Sequence, residues 1–505
     1  MVMSGSLFER IAARHSHDPH RVILERADAH PLTWTDMEKA TARLARLMSG
    51  TLGLRVGDRV AVRVEKSTAS LLLYLACLRA GLVYVPMNTA YGRDEVDYLI
   101  GNAEPELVVC DPAARDEVRD LAIKHSTPHV RTLDADGKGS LCDAAEGTGA
   151  EFTTVACDAD APAAMLYTSG TTGRPKGAVL SHGNLIANAE DLISVWKFTA
   201  DDVLLHALPL FHAHGLFVAC HCALLSGARL IWHPRFDASL VLGDLPRATV
   251  FMGVPTFYTR LLADPRMDRA LAGDMRVFIS GSAPLLAETW NSFATRTGHR
   301  IVERYGMTET GMNTSNPVDG ARKPGSVGLP LPSTKLRIVG EDGAELPNEQ
   351  IGDVQVRGAN VFAGYWRMPD KTAEDFTEDG WFKTGDVGFI DPDGYVHLVG
   401  RAKDLIISGG YNVYPKEVES VIDRLDGVVE SAVIGIPHPD FGEAVTAVVV
   451  RAPGALTPDA EAVIGAVRDS IANYKVPKSV HFVAELPRNA MGKVQKNLLR
   501  GTYGG

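Results

Sequence analysis

The sequence predicts an α/β protein in two parts: a large, multi-layer N-terminal α/β domain over residues 1–400 and a small, mobile α+β C-terminal domain over residues 401–505. Three observations predict it. The chain has 505 residues, too many for one ordinary domain and enough for several buried cores. Helical and strand-like patterns alternate through the first 400 residues, which requires sheets covered on both faces. After that the pattern changes to one helix, two strands, a second helix and a last strand.

The elements follow from local chemistry. Residues 67–81 form a dense apolar helix with Gly81 at its end, and residues 82–85 read as the strand after it. Residues 249–254 and 277–280 are short buried strands. Pro415 opens a helix whose Val418, Val421, Ile422 and Leu425 stand at i, i+3, i+4 and i+7, and Gly427 closes it. Strands over 431–436 and 445–451, a helix over 459–473 and a strand over 480–483 complete the small domain. The boundary falls at residues 400–404, with Gly409 and Gly410 just beyond.

Composition excludes several classes. Apolar residues make up 45% and charged residues 22%, so the chain is not disordered, collagen-like or membrane-embedded. A formal net charge of −11 argues against nucleic acid as a partner. Six cysteines without a paired framework point to a reducing, cytoplasmic location. The N-terminus has no secretory pattern, and the apolar run at 71–78 is too short to span a bilayer, so no membrane association is expected. The negative charge is unevenly spread. Residues 401–505 carry 12 basic and 12 acidic side chains, and residues 468–500 carry 7 basic against 2 acidic. His212, His214, Cys220, His221 and Cys222 are dense enough to raise zinc. Their CxC spacing and apolar flanks read better as buried or substrate-facing side chains.

The strongest local signal is YTSGTTGRPKGAVLSH at residues 167–182. Gly170, Gly173 and Gly177 sit among Thr168, Ser169, Thr171 and Thr172, with Arg174 and Lys176 behind them. Glycine lets backbone N–H groups approach an anion, hydroxyls donate to it and cations neutralise it, which is chemistry for a polyphosphate. Pro175 excludes a Walker A loop, and strand-like flanks predict a loop joining strand to strand.

This segment resembles the signature of the acyl-adenylate-forming superfamily: acyl-CoA synthetases, adenylation domains of peptide synthetases and firefly luciferase. The other motifs occur in order. Tyr305-Gly306-Met307-Thr308-Glu309 resembles the YGxTE element, Thr384-Gly385-Asp386 the TGD element, and Gly400-Arg401-Ala402-Lys403-Asp404 the hinge motif. Pro487-Arg488-Asn489-Ala490-Met491-Gly492-Lys493 resembles the element that carries a catalytic lysine. The resemblance covers the whole chain. It implies an acyl-CoA synthetase-like fold and an AMP-forming acid–thiol ligase with ATP and CoA as co-substrates and Mg²⁺ as cofactor. A carboxylate attacks the α-phosphate of ATP, and the thiol of CoA then displaces AMP.

The resemblance also implies residue roles. Lys493, Glu309 and Thr308 are the catalytic set. Lys493 bridges the carboxylate and the α-phosphate, where positive charge offsets the repulsion of two anions. Glu309 holds Mg²⁺, which takes one or two carboxylates beside phosphate oxygens. ATP is held by Thr168, Ser169, Gly170, Thr171, Thr172, Gly173 and Lys176. Further contacts come from Ser282, Ala283 and Pro284, from Arg304, Tyr305, Gly306, Met307 and Thr308, and from Asp386 and Arg401 at the ribose. Tyr305 lies against adenine. Lys403 is the hinge, and Gly409, Gly410 and Tyr411 line the tunnel for the pantetheine arm after domain rotation. A lysine acyltransferase acting on Lys493 would delete the catalytic charge.

Two arginines and a histidine near the expected acyl pocket suit a second carboxylate, because guanidinium fits it bidentately and an apolar tunnel cannot host an unpaired cation cheaply. The segments GVPTFYTRLL, FISGSAPL, ERYGMTET, MNTSNP and GGYNVYPKE closely resemble those of malonyl-CoA synthetases. By that resemblance Arg304 and Arg260 hold the distal carboxylate, His212 and Ser282 support it, and the acids are malonate and methylmalonate. The alternatives are an acyl-CoA synthetase for another short acid, and a stand-alone adenylation enzyme loading a separate carrier protein.

Overall fold

Two sheets with parallel centres hold the larger part of the chain. The structure, a computed structural model, describes residues 5–26, 30–168, 175–408, 411–453, 457–489 and 492–504. A nine-stranded sheet runs in spatial order Leu329–Pro330, Gly311–Ser315, Val302–Met307, Val277–Ser280, Val250–Gly253, Val203–His206, Arg229–Trp232, Val22–Glu25 and Leu32–Thr33. It is parallel from Val302–Met307 to Val22–Glu25. A seven-stranded sheet runs Gly364–Tyr365, Lys176–Ser181, Pro162–Thr168, Val83–Pro86, Arg59–Arg63, Leu107–Cys110 and His129–Thr132. Its first two strands are antiparallel additions to a parallel remainder.

The apolar runs explain these elements. Val250–Gly253 and Val277–Ser280 are buried throughout, as parallel strands covered on both faces must be. The helix Thr68–Arg79 starts at Ser67, whose hydroxyl accepts from Ser70 N at 3.1 Å. Leu71, Leu73, Tyr74, Leu75 and Leu78 are all buried, so this helix is enclosed all round. One continuous core joins the sheets, with Val60 and Leu166 of one and Leu204 and Ile279 of the other in the same cluster. Each such side chain contributes about 1.5–3 kcal/mol by burial.

A four-stranded antiparallel sheet follows: Thr334–Val339, Gly352–Gly358, Phe382–Ile390 and Val396–Arg401. The chain then enters a five-stranded sheet of Tyr411–Val413, Ile406–Ser408, Gly442–Arg451 and Val428–His438, with Ser479–Val483 parallel to Gly442–Arg451. Ile406, Val418, Ile422, Val445, Val463 and Val467 form its own core. Mixed α/β architecture with a large first part and a small second one is therefore as the sequence predicts.

The details differ in three places. The helix is Pro415–Ile422, so Leu425 lies in the turn beyond it, still packed on the same core. Gly427, at φ +83°, turns the chain directly into the next strand. The strands Val428–His438 and Gly442–Arg451 form a longer hairpin than expected, because their charged ends hide the alternation that the apolar middles show. The helix Ala460–Ser470 stops early, since Ile471 is extended, and Asn473–Lys475 is a separate turn. No helix among the described residues is long and apolar enough to cross a membrane.

Candidate active site

The strands Pro162–Thr168 and Lys176–Ser181 pair antiparallel, with Thr168 opposite Lys176, so the glycine-rich loop joins strand to strand as expected. Ser169, Gly170, Thr171, Thr172 and Gly173 themselves lie outside the described residues. At the loop's base, Thr168 Oγ1 donates to Glu309 Oε1 at 3.3 Å, and Tyr365 Oη donates to the same oxygen at 3.2 Å. Lys176 is buried, with its amine 4.3 Å from the Tyr365 ring centroid and 3.5 Å from Asp375 Oδ2. Burial raises the Glu309 pKa, while Tyr365, Arg401 and Lys176 pull the other way.

Glu309 reaches this place through a hairpin. Strands Val302–Met307 and Gly311–Ser315 pair antiparallel, and Thr308 and Glu309 lie in the turn between them. A Cβ on Gly306 would stand 2.1 Å from the Gly311 carbonyl oxygen, so the close approach of the two strands requires glycine there. Met307 is half-buried at the strand's end.

A second cluster forms where Asp386 stands opposite Arg401 in cross-strand register. Arg401 Nε lies 2.6 Å from Asp386 Oδ1, and the buried Tyr305 Oη donates to Oδ2 at 2.5 Å. The Asp386 N–H donates to Thr384 Oγ1 at 3.0 Å, which fixes the TGD turn. Lys493 faces this cluster. Its turn is closed by Asn489 N donating to Lys493 O at 2.9 Å and by Lys493 N donating to Asn489 Oδ1 at 3.0 Å. Arg488 braces the turn by bonding both the Gly492 carbonyl and Glu430. A Cβ on Gly492 would lie 3.6 Å from Thr256, so the turn meets the helix Pro255–Ala263. Lys493 keeps an exposed surface, yet protein surrounds its amine on most sides. That desolvation, then Arg401, pushes its pKa down to about 8, against the pull of Asp386.

Lys403 is exposed in the short turn Ala402–Asp404, two residues after Arg401. Tyr411 is exposed and stacks on Tyr474 with ring centroids 4.7 Å apart, whereas Gly409 and Gly410 lie outside the described residues.

The third cluster centres on Arg304, 5% exposed, on the strand Val302–Met307. Its Nε and Nη2 are buried without a hydrogen-bond partner, and among the described residues it forms no ion pair. The adjacent Glu303 does not serve. Successive strand side chains face opposite ways, and Glu303 is itself buried with Oε2 unpartnered. Burial pushes the Glu303 pKa up to about 8. The guanidinium lies against Gly281, where a Cβ would stand 2.3 Å from Arg304 Cζ. His212 is pushed down to about 4 by burial and then by Arg304, and the buried His214 also falls well below the usual histidine range. His214 N donates to His212 Nδ1 at 3.2 Å, and His214 Nδ1 lies 3.2 Å from Ser282 Oγ. Ser282 holds a left-handed φ of +71° in the loop that continues into Ala283 and Pro284, a cost borne where the loop turns past Arg304.

Arg260 has no hydrogen bond or ion pair with this cluster among the described residues. Tyr258 and Leu261 take the buried face of the helix Pro255–Ala263, and Arg260 is exposed. The histidines and cysteines at 212–222 do not assemble as metal ligands among the described residues. His221 Nε2 instead lies 2.8 Å from Tyr74 Oη. Sequence reasoning missed Tyr365 and Asp375. No motif marks them, and only the pairing of Gly364–Tyr365 with Lys176–Ser181 brings the tyrosine to Glu309.

Residues 8–366 match the family model described as AMP-binding enzyme, and residues 417–493 match the AMP-binding enzyme C-terminal domain. Feruloyl-CoA synthase of Amycolatopsis sp. is 37% identical, over 96% of this chain and 96% of its own. Malonate–CoA ligase of Bos taurus is 36% identical, over 93% of this chain and 86% of its own. The crystal structure of ATP-bound MatB from Rhodopseudomonas palustris superposes with a TM-score of 0.97 at 54% identity, over 99% of each chain. These likenesses run over nearly the full length of the chain. The chain belongs to the AMP-binding enzyme family and is an AMP-forming acid–CoA ligase.

Proposed function

We propose that the acid is malonate, with methylmalonate as a second substrate, and that the products are the corresponding CoA thioester, AMP and pyrophosphate. The observation that carries this reading is Arg304: a buried guanidinium whose Nε and Nη2 have no partner. Such a cation is costly unless an anion completes it, and a planar carboxylate is its best geometric match. A monocarboxylic acid would leave those donors unsatisfied. His212 and His214, held neutral by burial, act as neutral hydrogen-bonding groups beside it. The malonate–CoA ligase relatives and the MatB neighbour agree with this reading, while the feruloyl-CoA synthase relative keeps another acid as the alternative.

In this mechanism the near carboxylate of the acid attacks the α-phosphorus of ATP, and the bond to the β-phosphate oxygen breaks. Lys493 sits between the two anions and offsets their repulsion. Thr168, Thr308 and Lys176 hold the phosphates, as does the loop over 169–173. Asp386 and Arg401 hold the ribose, and Tyr305 with Ser282, Ala283 and Pro284 frames adenine. The donor set fits Mg²⁺: Glu309 is a buried carboxylate beside the phosphate loop, and a cation would offset the burial that raises its pKa. When bound with ATP, Mg²⁺ neutralises phosphate charge. The part beyond residue 400 then swings about Lys403 and brings Gly409, Gly410 and Tyr411 toward the arriving thiol, which displaces AMP.

The test is Arg304→Met assayed by ATP–pyrophosphate exchange. The KM for malonate is expected to rise by about 10²-fold, with the KM for ATP within a few-fold of wild type. An unchanged malonate KM refutes the assignment.

A further inference from the structure

A lysine outside all of these clusters is buried without a carboxylate. Lys66 follows the strand Arg59–Arg63 of the seven-stranded sheet and reaches across to the nine-stranded one. Its Nζ lies 2.7 Å from His206 Nδ1, donates to the His206 carbonyl at 2.9 Å, and stands 4.2 Å from the Trp232 ring centroid. No ion pair forms at Lys66 among the described residues. Burial holds both the amine and the imidazole well below their usual pKa ranges.

His206 passes the contact on. With Nδ1 accepting from Lys66, the ring proton belongs on Nε2, which lies 2.9 Å from the Gly215 carbonyl oxygen. Gly215 closes the segment that carries Phe211, His212 and His214. A Cβ there would stand 2.0 Å from the Pro209 carbonyl oxygen, and Leu216 N donates to His212 O at 3.1 Å. Beside Phe211 lies a cavity of about 220 Å³, also bordered by Lys66, Ser70, Tyr84, Phe236 and Phe257. Close packing therefore does not hold Phe211 on that side.

We propose that Lys66 is a positioning residue that tethers the acyl-binding segment through His206 and the Gly215 carbonyl. The proposal rests on the reading above that His212 and Arg304 frame the acid. Stability alone is a poor reason for a buried lysine–histidine pair here, because apolar side chains of similar volume in place of both partners are commonly neutral or stabilising. A tether that sets where His212 and His214 stand accounts for it.

Lys66→Met keeps the volume and removes the donors. Its thermal midpoint is expected to fall modestly, because the buried His206 Nδ1 and carbonyl lose their donor. With whichever acid turns over fastest, the acid KM in pyrophosphate exchange is expected to rise about tenfold, and the ATP KM to stay within about twofold. His206→Asn, which cannot reach both Lys66 and Gly215, is expected to raise the acid KM similarly, and the double variant no further. A lowered midpoint with an unchanged acid KM, or equal rises in both KM values, overturns the tether. Arg304→Met run alongside separates the two claims. A rise with Arg304→Met and none with Lys66→Met overturns the tether alone, and no rise in either overturns the pocket as well.

Discussion

Lys493 is the residue to which the proposed mechanism assigns the offsetting positive charge. Removing its amine by Lys493→Ala is expected to slow adenylation by about 10²–10³-fold or more, while thioester formation from premade acyl-adenylate survives. Equal loss in both half-reactions contradicts its role. Its pKa of about 8 has a further consequence. The charged amine is the working form, so raising the pH removes it. Because kcat/KM reports the free enzyme, kcat/KM for adenylation is expected to fall as pH rises through about 8, and Lys493→Arg to remove that limb. Glu303 tests burial with the opposite sign. Its carboxyl is raised to about 8 in the folded chain, so above the unfolded carboxylate range its ionisation opposes folding, increasingly up to that pH. Glu303→Gln is therefore expected to raise the thermal midpoint, more at pH 8 than at pH 5.

At the scale of elements, glycines set how closely chain segments approach the site. Gly281→Ala would place a methyl group 2.3 Å from Arg304 Cζ and push the guanidinium aside. Its acid KM is expected to rise about tenfold more than its ATP KM in pyrophosphate exchange. Much of this level was legible in the sequence. The strand–loop–strand frame of Thr168 and Lys176 followed from Gly and Thr density between two β-like runs. Glu309, Asp386 and Arg401 lie in short segments singled out by their resemblance to family motifs, whereas the register of Asp386 with Arg401 appears only in the fold. Arg260 shows the opposite case. Helical periodicity places Tyr258 and Leu261 inward and leaves Arg260 exposed, so no packing contact marks a role for it. Tyr365 and Asp375 were illegible because their partners Glu309 and Lys176 lie far away in sequence and meet them only through tertiary pairing.

At the scale of the whole molecule, the fold class was legible because buried parallel strands and apolar helices write themselves as runs, whereas contacts across sheets leave no local trace. Lys66 and His206 illustrate this, joined across 140 residues with no motif around either. The two-step reaction also lives at this scale. Proline at the proposed hinge fixes φ, so Lys403→Pro is expected to leave pyrophosphate exchange within a few-fold of wild type and to cut overall thioester formation by about tenfold or more. Loss of both activities together would place Lys403 outside the hinge. The central claim is that this ligase selects a small dicarboxylic acid. The most direct measurement is ATP- and CoA-dependent thioester formation across malonate, methylmalonate, succinate, acetate and butyrate, read by pyrophosphate release. The buried, uncompensated Arg304 predicts kcat/KM highest for malonate, methylmalonate next, and acetate and butyrate lower by about 10²-fold or more. A monocarboxylic acid turned over as well as malonate, or better, would contradict it.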